Sequence, residues 1–576
     1  MGRPLASGLW PDAGWAIVRG GSLGGRAVEW GLNWLERRVW AAATALLLLC
    51  AILFSPGFFS LPPADRDEAS FAQASRQMLE SGDLIDIRLG EVARHKKPVG
   101  IYWLQAAVVA LVGDRSDIAA YRLVSLLGAA GAVLLTRAIG AVLAGERAGL
   151  VAAVLLASCL MLGAEARLAK TDAMLLCMIL ASQWVLARAW MGMPVGWGGV
   201  LVFWGGLAVG TLIKGPIGPM VLGLTVVGLI AAGRQVRWLA VLRPFWGLAI
   251  WAALVLPWVL AITWITGGAF WSEALGQDLL AKVGAVQELH GAPPGSYALA
   301  FWVSFWPGSV FVLLAVPGVW ALRRERAVWF CLAWAVPLWL VFEAAATKLV
   351  HYTLPGYPAL AILAAIGLSA SGQTGMPALT SGWRRIAVAL VLAAPLVLLA
   401  WLGVEAVRRG GSGWYVLAGL TGGGFAVWGL WRALRGGALA AALACAVALS
   451  LAFALGTYPT LARVQAIWPS EAVALLVRGD AACAAGPAIS VGYGEPSLLF
   501  ALGSGVRFLD PEAAAVAMAG LARRGTCGVV IIEDRERGRF DLAARRADLL
   551  LREVGRAEGV NIGSGRQVGL AVLASR

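Results

Sequence analysis

The stretch Ala64-Asp65-Arg66-Asp67-Glu68-Ala69-Ser70-Phe71, closed downstream by His95-Lys96-Lys97-Pro98, is a polar island in an apolar chain. An apolar run at 40–60 precedes it and another begins at 98. Carboxylates and cations clustered between hydrophobic spans have little structural use, and in a membrane protein they mark a site that handles a charged substrate. The surrounding composition makes this a polytopic membrane protein. Of 576 residues, 60% are hydrophobic and only 14% charged, more apolar surface than a soluble chain can cover. The 28 Trp and 72 Gly fit interfacial anchors and close helix packing. The net charge of +14 is scattered over short loops and forms no stripe. It therefore speaks for positive-inside topology and anionic lipid, not nucleic acid.

Working outward, fourteen apolar runs approach the twenty-residue length of a span: 40–60, 98–113, 117–137, 148–163, 172–191, 198–213, 215–232, 245–265, 297–321, 328–345, 352–370, 386–404, 412–431 and 437–457. Basic loops at Arg37/Arg38, Arg137/Arg147, Arg234/Arg237/Arg243, Arg323/Arg324/Arg326, Arg384/Arg385 and Arg432/Arg435 belong in the cytoplasm. Parity then requires an odd number of crossings between Lys97 and Arg137. The short run 98–113, followed by Asp114, Arg115 and Asp117, is therefore expected to be interfacial or partly inserted. Thirteen spans remain. The island, the loops at 163–171 and 266–296, the Thr347-Lys348 turn and the C-terminal region fall outside, with Arg408 and Arg409 as exceptions. The expected organisation is a cytoplasmic or interfacial segment at 1–39, without the unbroken apolar core of a signal peptide, and an all-α membrane domain at 40–458 whose first outer loop is 61–116. A small α/β domain follows at 459–576. Its β-branched runs Ala488-Ile489-Ser490-Val491 and Gly528-Val529-Val530-Ile531-Ile532 alternate with helical segments such as 541–552. Gly492-Tyr493-Gly494 there is a turn signal rather than a phosphate loop. Seven cysteines form no CxxC pair. Cys483 and Cys527 are able to pair if their region faces an oxidising compartment.

The island has chemistry to offer. Phe71, Ala74, Met78 and Leu79 recur at helical spacing, so Asp67 and Glu68 start an amphipathic helix on the membrane, where a helix N-terminus favours anions. A carboxylate at that boundary is able to deprotonate a hydroxyl. Lys96 and Lys97 lie on the side where flanking cations are disfavoured, and they suit a phosphate. Asp172, near Glu165, Arg167 and Lys170, abuts an apolar run where a carboxylate needs a partner or a task. Lys214 interrupts two apolar runs and Lys348 sits in a turn with His351 and Tyr352; with Lys97 they share one membrane face. Three lysines beside two or three carboxylates are what is needed to hold a phosphate leaving group next to a base. Each group also has a plain reading: a solvated loop, a positive flank, an interfacial salt bridge or a snorkelling lysine. His95, His290 and His351 all map outside. Glu288 and His290 are two potential metal ligands, a pattern too short to define a metal site.

Taken in order, these residues resemble the GT-C integral membrane glycosyltransferases of the protein-mannosyltransferase and aminoarabinose-transferase type, akin to glycosyltransferase family 39. Asp67-Glu68-Ala69-Ser70-Phe71-Ala72-Gln73 matches the family's DE-x-x-Y/F-A-E element. Lys97-Pro98 matches its E-K-P-P element, Arg167-Leu168-Ala169-Lys170-Thr171-Asp172 the second-loop aspartate element, and Lys348-Leu349-Val350-His351-Tyr352-Thr353-Leu354-Pro355 the S-K-L-x-x-Y-x-L-P turn. The resemblance runs from about 40 to 370. It implies transfer of a sugar from a polyprenyl-phosphate donor to a lipid A, lipopolysaccharide or other envelope glycan acceptor, by an inverting displacement on the periplasmic face of a bacterial inner membrane. It casts Asp67 as catalytic base or acceptor-orienting carboxylate and Asp172 as its assistant. Lys97, Lys214 and Lys348 would bind the donor phosphate. Glu68, Lys96, Tyr102, Arg167, His290 and Tyr352 would contact substrate. No cofactor is required, a divalent metal is left open, and a monomer without nucleic acid is expected. Two departures stand out: Lys96 replaces the family's Glu and Val99 its second Pro, which weakens the case for a metal and points to a more anionic substrate. The alternatives are a protein O-mannosyltransferase and a lipid-linked sugar transporter or flippase, the latter needing charge near the midplane and repeated halves.

Overall fold

Apolar runs of this length become helices because lipid leaves each backbone N–H and C=O to be satisfied within its own segment. The computed structural model describes residues 23–64, 66–274, 276, 291–370 and 382–575, and a helix lies in every one of the thirteen stretches expected to span. Among the described residues, eight helical stretches are long and apolar enough to cross a bilayer on their own. A ninth is the broken pair Ser296–Ser304 and Gly308–Ala321, bent by 113°. Val39–Phe54 and Ile217–Gly233 are apolar but shorter, and Glu146–Ala157 and Trp414–Arg435 complete the set. Length and apolarity alone thus support fewer complete crossings than thirteen. A short helix is tolerated where protein replaces lipid around it, and Glu146–Ala157 is buried along almost its whole length. The run at 98–113 becomes Gly100–Val112, whose 13 residues rise only about 20 Å, short of a bilayer core. It packs on the end of Trp197–Lys214. Gly100 allows that approach, since a Cβ there would stand 2.8 Å from the Leu212 carbonyl.

Charge separates to the two ends of the bundle. At one end Arg147 binds Asn33, Glu29 and Glu36 of the amphipathic helix Leu23–Glu36, and Arg137 pairs with Glu146. At the other end lie the island helix Asp67–Ser81 and a small hairpin of β1 (Arg88–Leu89) and β2 (Val92–Ala93). Arg408 and Arg409, the exceptions to the positive-inside rule, both pair with Glu405.

One buried tie fixes that second end. Glu68 is 1% exposed, and its carboxylate takes Arg122 Nε at 2.7 Å and Nη2 at 3.0 Å, with the Ala64 and Ala169 amides each at 2.8 Å. Arg122, fully buried on the helix Ile118–Ala144, also donates to the carbonyls of Phe58, Leu61 and Pro62. Glu68 therefore fastens loop, helix and span together. This corrects the expectation that it contacts substrate, because all its acceptor capacity is already used.

The last long helix, Leu439–Arg463, leads into the C-terminal domain. Its sheet contains β3 (Ala488–Val491), β4 (Arg507–Phe508), β5 (Val529–Glu533), β6 (Leu551–Asn561) and β7 (Arg566–Ser575), in the order β4-β3-β5-β7-β6. β3 runs parallel to β4 and β5, while β7 is antiparallel to β5 and β6. β5 is buried throughout, as its unbroken apolar sequence requires, between Pro511–Arg523 and Asp534–Arg546 on one face and Pro469–Gly479 and Pro496–Leu502 on the other. Cys483 and Cys527 are joined in a disulfide. The domain docks on the island helix: Gln73 donates to Ser504 at 2.8 Å, Arg76 to the Phe500 carbonyl at 3.3 Å, and the Phe500 ring meets Tyr121 edge-on at 5.5 Å.

Two outcomes follow for this fold. In membrane vesicles, cysteine at exposed Arg115 should react with an impermeant maleimide only from the outer side, and cysteine at exposed Gln235 only from the cytoplasm; the reverse pattern refutes the topology. Arg122→Met strands the Glu68 carboxylate without a counter-charge and Glu68→Gln strands the guanidinium, so each should cost about 3–5 kcal/mol of stability in detergent unfolding.

Candidate active site

A cavity of about 1050 Å³ separates this end of the bundle from the C-terminal domain. Asp67, Lys96, Lys97, Lys170, Asp172 and Lys214 all line it. Asp67 is the first residue of its helix, next to buried Glu68 but turned outward, and it makes no hydrogen bond or ion pair among the described residues. Arg66 before it adopts φ 63°, ψ −85°, a conformation that L side chains rarely take and that persists only where its surroundings impose it. The Arg66 side chain packs on the C-terminal domain: a Cβ on Gly563 would lie 2.2 Å from Arg66 Nε. Lys97 is half-buried in the cavity wall and Lys96 is exposed.

Deeper in, three segments far apart in sequence bring their charges together. Lys214 Nζ donates to Asp172 at 2.6 Å, and Lys170 Nζ to Glu165 at 3.3 Å. His351 stands between them, with Nε2 3.8 Å from Asp172 and Nδ1 3.9 Å from Glu165. Burial raises the Glu165 carboxyl above its ordinary range, opposed by Lys170. Burial works to lower the Lys170 ammonium, but Glu165, Asp172 and Asp67 outweigh it and hold the group protonated. Tyr352 also lines the cavity, its ring centroid 5.6 Å from Lys214 Nζ. At the rim, His95 bridges Asp86 and Glu273, each at 3.3 Å.

Three expected site residues lie elsewhere. Lys348 does not line the cavity: its Nζ donates to the carbonyls of Glu343 and Ala345 at 2.8 and 2.6 Å, neutralising the negative end of the helix Arg326–Ala344. This corrects its placement at the donor phosphate. Arg167, 2% exposed, is spent on the carbonyls of Leu53, Pro56 and Gly163 and on the Tyr458 ring at 4.1 Å, a structural clamp rather than a substrate contact. Tyr102 is fully buried against Phe71, away from the cavity. Asp65, Glu288 and His290 fall outside the described residues. Among the described residues no group of three or more His, Cys, Asp or Glu is placed to hold a metal. The sequence reading gave no site role to His351 or Lys170, though both lie inside the quoted motifs. It also missed the wall supplied by Glu495, Phe508 and Ile562, which no local pattern signals.

Residues 96–261 match the family model described as dolichyl-phosphate-mannose-protein mannosyltransferase. The chain is 27% identical over 378 residues to the undecaprenyl phosphate-alpha-4-amino-4-deoxy-L-arabinose arabinosyl transferase of Pectobacterium carotovorum subsp. carotovorum (strain PC1), covering 61% of this chain and 64% of that protein, just under two thirds of its length. It is also 27% identical over 414 residues to the enzyme of the same name from Edwardsiella ictaluri, covering 69% and 71%. The crystal structure of ArnT from Cupriavidus metallidurans bound to undecaprenyl phosphate shares the fold, with a TM-score of 0.72 at 18% identity over 92% of this chain and 97% of that one. In fold and in the order of its motifs, this chain is similar to the GT-C membrane glycosyltransferases of the aminoarabinose-transferase type.

Proposed function

We propose that the protein transfers a sugar from a polyprenyl-phosphate-linked donor to an envelope acceptor, lipid A, lipopolysaccharide or another glycolipid, at the periplasmic face of a bacterial inner membrane. The observation that carries this reading is Asp67, a carboxylate without a partner among the described residues, aimed into a cavity whose membrane-side wall presents Lys96, Lys97, Lys170 and Lys214. Such a site suits a phosphate leaving group and a nucleophile that must lose a proton. Asp67 takes the proton of the acceptor hydroxyl, whose oxygen then bonds to the anomeric carbon. The anomeric carbon–phosphate oxygen bond breaks, and the polyprenyl phosphate departs with its charge met by the lysines. One such displacement inverts the anomeric centre. Asp172, clamped by Lys214 and His351, orients the acceptor or sugar instead of exchanging protons. The step draws on no cofactor, and a monomer contains every group it uses.

The periplasmic placement is supported by the Cys483–Cys527 disulfide on the cavity's own side, since such bonds persist in oxidising compartments. The relatives' sugar, 4-amino-4-deoxy-L-arabinose, is the first donor to test. A protein hydroxyl as acceptor is the second reading, favoured by the description of the matching family model. Gathering of the charges at one end of the bundle, rather than at mid-membrane, supports a transferase over a transporter.

Asp67→Asn should lower transfer by about 10²-fold or more while undecaprenyl phosphate still raises the melting temperature of the purified protein; turnover near that of the wild type removes Asp67 from the chemistry. Lys97→Ala should weaken undecaprenyl phosphate binding more than Lys96→Ala, because the half-buried ammonium acts through a lower dielectric than the exposed one. Equal losses in a binding titration would count against that assignment.

A further inference from the structure

The proposed step leaves one wall of the cavity unused, the wall built by the C-terminal domain. Five carboxylates line the cavity: Asp67, Glu68, Asp172, Glu273 and Glu495. Arg122 pairs with Glu68, Lys214 pairs with Asp172, and the His95 ring stands 3.3 Å from Glu273. Asp67 and Glu495 have no cationic partner among the described residues, and Asp67 already has its part. Glu495 is nonetheless firmly placed. Its Oε1 accepts from Nδ2 of Asn561 at 2.5 Å, and Asn561, 4% exposed at the end of β6, is itself fixed because its Oδ1 accepts from the Ser564 amide at 3.0 Å. Glu495 precedes the helix Pro496–Leu502, yet its side chain makes no capping bond there. Its second oxygen is thus left to a ligand. Beside it Phe508 and Ile562 line the same wall while 43% and 50% exposed. A carboxylate oxygen flanked by apolar surfaces matches a sugar ring, which offers polar donors at its edge and C–H groups on its face.

The four lysines come from the membrane domain, so the lipid phosphate and its tail occupy the opposite wall. We propose that Glu495, positioned by Asn561, binds a hydrogen-bond donor, a hydroxyl or an ammonium, on the headgroup of the acceptor, and that the C-terminal domain thereby selects the acceptor. This inference rests on the transferase reading above. The test uses the full-length protein in detergent, with undecaprenyl phosphate-4-amino-4-deoxy-L-arabinose as donor and lipid A as acceptor. Glu495→Ala should raise the acceptor KM about tenfold or more, with the donor KM and the thermal shift given by undecaprenyl phosphate unchanged. Asn561→Ala should move the same constant in the same direction by less. Glu495→Gln keeps the Asn561 bond on its carbonyl oxygen and turns the free oxygen into an amide N–H donor, which a hydroxyl, able to accept, still meets and an ammonium does not. Recovery toward the wild-type KM identifies a hydroxyl, and a loss equal to that of alanine identifies an ammonium. An acceptor KM unchanged in Glu495→Ala, or a change confined to the donor, overturns the assignment. Absence of any turnover by the wild type refutes the transferase reading for this substrate pair and removes the inference with it.

Discussion

The buried pair of Glu68 and Arg122 holds the cavity end of this protein together. Two charges removed from water are costly unless geometry and further hydrogen bonds repay the desolvation. Here they are repaid fully: Glu68 accepts from the guanidinium and two amides, and Arg122 reaches three carbonyls besides. The bonds join the loop ahead of the helix Asp67–Ser81, the helix Ile118–Ala144 and the loop that leads to Asp172. Breaking the pair would free all three at once.

Asp67 gains its position from that tie. It is the next residue along, at the start of the same helix, and successive helical side chains point in different directions. Glu68 points into the bundle as the anchor, so Asp67 points into the cavity. The C-terminal domain adds a second restraint, through Ser504 and Phe500 on the helix Asp67–Ser81, and it also meets the Arg66 side chain at Gly563. A domain that looks like an appendage in sequence is part of what aims the carboxylate.

Much of the fold was legible because lipid makes strict demands on composition. Each expected span is a helix, and the short run before Asp114 forms a helix packed on the end of a neighbouring span. The site was legible as a set of segments but not as a set of roles. Lys348 and Lys214 each interrupt or follow an apolar run; one neutralises a helix end and the other clamps Asp172. Arg167 and Lys170, three residues apart, separate into a buried clamp and a cavity wall. Nothing in their local sequence distinguishes them, since each role depends on carbonyls or carboxylates supplied by distant segments.

The sequence by itself determined that the chain threads a membrane many times, which loops share a face, and that carboxylates and lysines gather on one of them. Hydrophobic length and loop charge are local properties, and the bilayer acts on each segment separately. Only the tertiary structure decided which charges spend themselves on the protein and which remain for a substrate. That choice depends on distances of a few ångströms between residues many spans apart, set by helix packing and by the closing of the C-terminal domain over the cavity. The polar island is therefore two things at once: Glu68 is part of the framework, and Asp67 is what the framework presents.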